Sequence, residues 1–250
     1  MNDLLTILEK EKNELFSHRI LLLSYGFILL FIGLFLPALI AFEASTISSS
    51  CKLPEGYTSL LDLQAEHLLP LIFLFVGPFI SLPAIADSFS GEAERKTLES
   101  LLATPIKAYY LYLAKIISLF IFVFSFLLVA FFLFLGVMNL VVSPFLGIYG
   151  LIFPGQKSFY IIFLLFPLIL LLSISLGTIV SFKVRSVKAT QIISSFLLLP
   201  IILLSTAKII LSENLSWSNL IKGSLLLLVL LIIVSFLGRL LFNKERLVLG

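Results

Sequence analysis

The chain has 250 residues, of which 60% are hydrophobic and only 12% charged, and it carries a formal net charge of +3 at pH 7. Soluble domains charge about a quarter of their residues, so with a mean hydropathy of +1.18 this chain lacks the polar groups to cover a water-facing surface. The small, dispersed basic excess gives no ground for a nucleic-acid partner, and one cysteine, Cys51, excludes an intramolecular disulfide or a cysteine metal cluster. Several apolar runs exceed the roughly 18 residues that mark a spanning helix. The short alternating segments of an outer-membrane barrel do not occur. An all-α, polytopic membrane protein is therefore expected.

Residues 1–19, MNDLLTILEKEKNELFSHR, come first. At 100° per residue, Leu4, Leu8 and Leu15 cluster on one side with Leu5 and Phe16 beside them, opposite Asn2, Thr6, Glu9, Lys10 and Asn13. This pattern predicts an amphipathic interfacial helix, or else a solvated helical tail. Glu11 and Lys12 intrude at the edges of the apolar face. The apolar run that starts near Ile20 lasts about 23 residues, longer than the core of a secretory signal.

Six spans are predicted, at about 20–42, 68–86, 114–138, 158–182, 191–211 and 223–242. The second is the shortest and contains Pro70, Pro78 and Pro83, which predict kinks. Residues 139–157 are apolar but broken by Pro144, Gly147, Gly150, Pro154 and Gly155, and read as an interfacial or re-entrant segment. With the amino terminus inside, thirteen basic residues fall on the inner side. They are Lys10, Lys12, Arg19, Arg95, Lys96, Lys107, Lys115, Lys183, Arg185, Lys188, Arg239, Lys244 and Arg246. Only Lys52, Lys157, Lys208 and Lys222 fall outside, which completes the chain's 17. Lysine and arginine bias sets orientation, so both termini, residues 90–105 and the KVRSVK loop at 183–188 are expected in the cytoplasm. The outer loop 43–67 carries Glu43, Glu55, Asp62 and Glu66, and Asn214 begins a glycosylation sequon, NLS, on the same side.

No acid or histidine lies near the middle of a span, which weakens a proton- or sodium-coupled carrier. Hydroxyls such as Ser173, Ser175, Thr178, Ser194 and Ser195 could still hold sodium. There is no HExxH and no nucleophile with a base, so no catalytic residue and no metal ligand set is assigned. GLIFPGQK at 150–157 has the spacing of a phosphate loop but Gln156 where the lysine belongs, and is read as chance. Ser173, Gly177 and Ser181 form a stripe of small residues at four-residue spacing, suited to internal helix packing, a dimer seam or a translocation wall.

The stretch SGEAERKTLESLLATP, 90–105, interrupts the apolar pattern. Ser90 or Gly91 can cap a helix with Glu92 and Glu94 in its first turn. Glu92 with Lys96, and Arg95 with Glu99, are spaced to pair along its surface, while Leu98, Leu101 and Leu102 form the apolar side. Pro105 ends it. On these facts alone it is equally an ordinary solvated loop helix.

DSFSGEAERKTLESLLATPI, 87–106, resembles the cytoplasmic stretch after the second span in type-2 ABC exporter permeases, through Asp87, Glu92, Glu94, Arg95, Thr97, Leu98, Glu99, Leu101, Leu102 and Pro105. The glycine often found before the threonine is Lys96 here, a residue that helices accept well. The resemblance covers the whole chain in architecture and about twenty residues in motif. Haem-exporter permeases carry a looser version. The resemblance implies a permease that dimerises with an identical or paralogous chain and docks two ABC ATPase subunits, with ATP and Mg held by those subunits and no cofactor in this chain. Residues 90–105 would be the coupling helix, its acids meeting basic residues of the ATPase, and Leu101 and Leu102 would anchor it to its own spans or to a pocket of the partner. Lys183, Arg185 and Lys188 would make a second contact. Other readings of the residues are an ATP-independent carrier or channel and a membrane assembly factor.

Overall fold

The computed structural model describes residues 2–47, 60–97, 108–147, 151–184, 186–211 and 216–241, and these form seven helices with no strand among them. Helix α1 is Asn2–Ser17, α6 is Val187–Leu211 and α7 is Trp217–Leu241. The other four each contain one π turn. Helix α2 runs Arg19–Leu30, Phe31–Phe35 and Leu36–Ile47; α3 runs Leu60–Ala86, Asp87–Gly91 and Glu92–Glu94. Helix α4 runs Ala108–Val137, Met138–Val142 and Ser143–Phe145; α5 runs Gln156–Tyr160, Ile161–Leu165 and Phe166–Lys183.

Among the described residues, five apolar helices are long enough to cross a membrane: Arg19–Ser45, Leu61–Glu94, Tyr109–Phe145, Gln156–Lys183 and Trp217–Leu241. The predicted span 191–211 falls in α6, a helix of 25 residues with a described apolar stretch of Val187–Leu203. The second and third spans are longer than expected, with 34 and 37 residues. At 1.5 Å per residue each is about 50 Å or more, against roughly 30 Å of hydrocarbon, so both project well beyond it. Residues 139–145, expected in an interfacial or re-entrant segment, instead continue α4 as a helix. Asn139 ties the following extended segment back onto that helix. Its Nδ2 donates to Leu135 O and Ile152 O, both at 2.9 Å, and its Oδ1 accepts from Ile152 N at 2.7 Å.

Three π turns have the same cause. Those at Phe31–Phe35, Met138–Val142 and Ile161–Leu165 are each followed, one residue on, by Pro37, Pro144 or Pro167. A proline has no N–H, and its ring crowds the carbonyl four residues back; the wider turn relieves both problems. The amide just before each proline bonds five residues back, as in Leu36 N to Phe31 O. The turn at Asp87–Gly91 has no such proline after it. Helix α3 passes through all three of its own prolines. Pro70 cannot donate to the Glu66 carbonyl, and Ser158 Oγ of α5 donates there at 2.7 Å instead.

Helices α3, α4 and α5 form the centre, where Phe73 meets Phe131 and Phe166 edge to face. The stripe Ser173, Gly177 and Ser181 is fully buried there. A Cβ on Gly177 would stand 2.5 Å from Ile85 Cγ2, so α5 approaches α3 closely only because that position has no side chain. Helices α2, α6 and α7 carry the exposed Phe, Leu and Ile side chains suited to lipid. Helix α1 lays its apolar stripe on the first turns of α4. Ile7 packs with Leu111 and Ala114, and Phe16 lies edge-on to Phe122 at 5.0 Å.

Gly177→Val is expected to lower the thermal midpoint of the purified protein by the equivalent of about 1–3 kcal/mol, the usual result of overpacking. Adding Ile85→Ala should recover part of that loss; an unchanged midpoint for the single variant would refute the close contact.

Candidate functional site where four helices meet the end of α3

The charged stretch does not begin a helix at Ser90 or Gly91, as its sequence predicts. It ends one. The first part, Asp87–Glu94, continues α3, and Ser90 and Glu92, expected as cap and exposed first turn, are both buried. The stop is a Schellman arrangement. Thr97 N donates to Glu92 O at 2.9 Å and Lys96 N to Ala93 O at 3.2 Å, with Lys96 at φ 59°. Glycine adopts that left-handed conformation without penalty, whereas a side chain costs about 1 kcal/mol. Lys96, at the position where the related motif often has glycine, is thus a costly departure. Leu98, Glu99, Leu101, Leu102 and Pro105 lie outside the described residues, as does Arg185.

The expected Glu92–Lys96 pair along the helix surface is replaced by a longer-range one, while Glu99, the expected partner of Arg95, lies outside the described residues. Glu92 does not pair with Lys96. Its Oε1 accepts from Lys115 Nζ at 2.9 Å, and the same ammonium donates to Glu11 Oε2 at 3.0 Å. Lys115 is 2% exposed, Glu11 6% and Glu92 7%. Phe89 lies below the ammonium, its ring centre 5.1 Å away. The intruding acid on the apolar face of α1 is therefore one end of a buried triad joining α1, α3 and α4. The carboxylates of Glu11, Glu14 and Glu92 lie within 4.8 Å of one another, but Lys115 already supplies the cation between Glu11 and Glu92. Arg95 pairs with Asp87 at 2.8 Å across Gly91, where a Cβ would collide with the Asp87 carboxylate.

A second, uncharged knot joins α3 to α5 and α6. Ser181 Oγ accepts from the amides of Phe89 at 3.2 Å and Ser90 at 3.0 Å. These are two amides of the π turn that no proline explains; support from a neighbouring helix takes the proline's place as its cause. Ser90 Oγ lies 2.6 Å from Val184 O, 2.8 Å from Ser181 O and 2.7 Å from Thr190 Oγ1. It thus serves carbonyls that the end of α5 leaves without helical partners. Glu94 Oε1 accepts from Val187 N at 2.8 Å and so caps the first turn of α6. The charged stretch and the 183–188 loop, read in sequence as separate contacts, are bonded directly to each other. Lys183 and Lys188 are exposed beside this junction.

Sequence reasoning counted Lys115 only toward orientation and missed its partners. The available signal was Glu11 on an apolar face together with a lysine inside a span, two charges that can be buried only as a pair.

Helices long enough to span, lipid-suited outer faces and a charged meeting point at one end define a multi-pass membrane protein. The chain matches the family described as ABC-2 family transporter protein over residues 5–241, and it belongs to that family. It is thus a membrane permease component of an ABC-2 type transporter, whose members lack ATPase domains and work with ABC ATPase subunits in a membrane. No curated protein matches the chain.

Lys115→Met leaves two buried carboxylates without a cation and should cost about 3–5 kcal/mol in thermal or denaturant unfolding. The triple variant Glu11→Leu, Glu92→Leu, Lys115→Met should return most of it, because an apolar trio needs no counter-charge; equal loss in both would argue against the triad. Lys96→Gly should raise stability by about 1 kcal/mol by relieving the left-handed backbone.

Proposed function

We propose that this chain is the membrane half of an ATP-driven exporter of the cytoplasmic membrane, with both termini inside. It pairs with a second permease chain and docks two ATPase subunits, which hold ATP and Mg, against the ends of α3 and α5 and the start of α6. Asp87, Glu92, Glu94, Arg95, Lys96 and Thr97 form the described part of the coupling element, which continues through Glu99, Leu101, Leu102 and Pro105. Lys183, Arg185 and Lys188 complete it.

One observation carries this reading. The last two turns of α3 are bonded to α1 and α4 through Glu92, and to α5 and α6 through Ser90 and Glu94. A displacement applied just beyond Thr97 therefore reaches four other helices at once. That is the arrangement needed to turn closure of an ATPase pair into a change of tilt across a bundle. The inner bias of lysine and arginine supports the orientation.

The tagged full-length chain, purified in mild detergent, should bring down an ABC ATPase in a 1:1 ratio, and the complex should hydrolyse ATP. Transport by the permease alone in liposomes, with no ATPase recovered, would instead favour an ATP-independent carrier.

A further inference from the structure

The acids of the coupling stretch among the described residues each have a partner within the chain. Asp87 is engaged by Arg95, Glu92 by Lys115, and Glu94 by the amide of Val187. Lys96, Lys183 and Lys188 are exposed around the same junction and take part in no ion pair among the described residues. Among the described residues of the stretch and the 183–188 loop, the exposed charges without an ion partner are therefore basic, the reverse of what the sequence of the stretch predicts.

Two of the three lysines stand where local physics disfavours a lysine. Lys96 occupies the left-handed position at the end of α3, where glycine is favoured. Lys188 lies in the first turn of α6, at the positive end of the helix dipole, where an acid is favoured. Inner-side retention by the lipid surface needs basic residues somewhere in these loops, but not at these positions. Lys183, in the last turn of α5, is accounted for by the dipole alone. Positions that break a local rule are where function is expected to override stability.

We propose that residues 94–97 with Lys183 and Lys188 form one composite docking face, clamped by the Glu94 cap and the Ser90–Ser181–Thr190 knot, and that this face recognises an acidic surface on the ATPase subunit. The inference rests on the permease reading above and adds the chemistry of the partner. A fixed pattern of charge on a hydrogen-bonded scaffold suits a protein surface with its own fixed pattern; a fluid sheet of anionic headgroups would need no scaffold.

The test uses the full-length permease in nanodiscs of phosphatidylcholine alone, and the ATPase that co-purifies with it, with the dissociation constant measured by biolayer interferometry. Combined Lys96→Glu, Lys183→Glu and Lys188→Glu should weaken binding about tenfold or more, and wild-type affinity should fall as salt rises. Glu94→Ala makes the face more basic, so independent charges would tighten binding, whereas loss of the clamp weakens it; weakening is expected. Lys96→Gly should bind more weakly while unfolding at a higher temperature, which separates docking from stability. Unchanged or tighter binding by the charge-reversal variant would overturn the basic face. Tighter binding by Glu94→Ala would overturn the composite face. Wild-type binding that requires anionic lipid would assign the lysines to headgroups and overturn the proposal. Failure to recover any ATPase would sink the permease reading itself, a result distinct from each of these.

Discussion

The buried ammonium of Lys115 constrains everything around it. Moving an amine and two carboxylates out of water costs several kcal/mol per ion, and their mutual attraction offsets that only when all three are in place. Glu11 comes from α1, Glu92 from the last turn of α3 and Lys115 from the second turn of α4. None of these helices can leave while the others stay without stranding a charge in a low-dielectric site. The triad is therefore weak evidence for high stability and strong evidence for a fixed arrangement. It allows a short amphipathic helix to hold a defined position on α4 through more than an apolar stripe.

The knot on the other side of α3 is chemically different. Hydroxyls and carbonyls exchange partners with little energetic difference, and Ser90 Oγ has two carbonyl acceptors and the Thr190 hydroxyl within 2.8 Å for its single proton. Such a contact holds position while tolerating small rotations. An ion triad does not, since its geometry must satisfy two carboxylates at once. The end of α3 is thus gripped rigidly toward α1 and α4 and more compliantly toward α5 and α6. Among the described residues, the Glu94 cap alone adds a charged bond on the compliant side.

The fold was legible to the extent that it depends on hydropathy. Long apolar runs marked the spans, and the prolines and glycines after Val142 marked where α4 stops. The site was less legible because its charges pair across distances the local pattern does not contain. Spacing of four residues assigned Glu92 to Lys96, yet its partner is 23 residues on, in another helix. The same spacing read a helix start at Ser90, because serine and glycine followed by acids is a capping signature. Burial of Ser90 against Val184 and Thr190, a contact about a hundred residues away in the chain, reversed that reading. Ser181 was noticed as small; its function as a hydrogen-bond acceptor for two amides appears only when α3 lies beside it.

The π turn at Asp87–Gly91 separates the membrane part of α3 from its charged end. Where a proline enforces a π turn, the wider geometry is built into the covalent chain. Here it depends on a hydroxyl supplied by another helix. Without the Ser181 hydroxyl two buried amides would lose their acceptor, at a cost of about 1–3 kcal/mol each. Rotating the end of α3 to restore ordinary α-helical bonding would turn Glu92 away from Lys115 and strand buried charges, which costs more. The π turn is therefore held from both sides of α3, by the Ser181 hydroxyl on one and by the ion triad on the other.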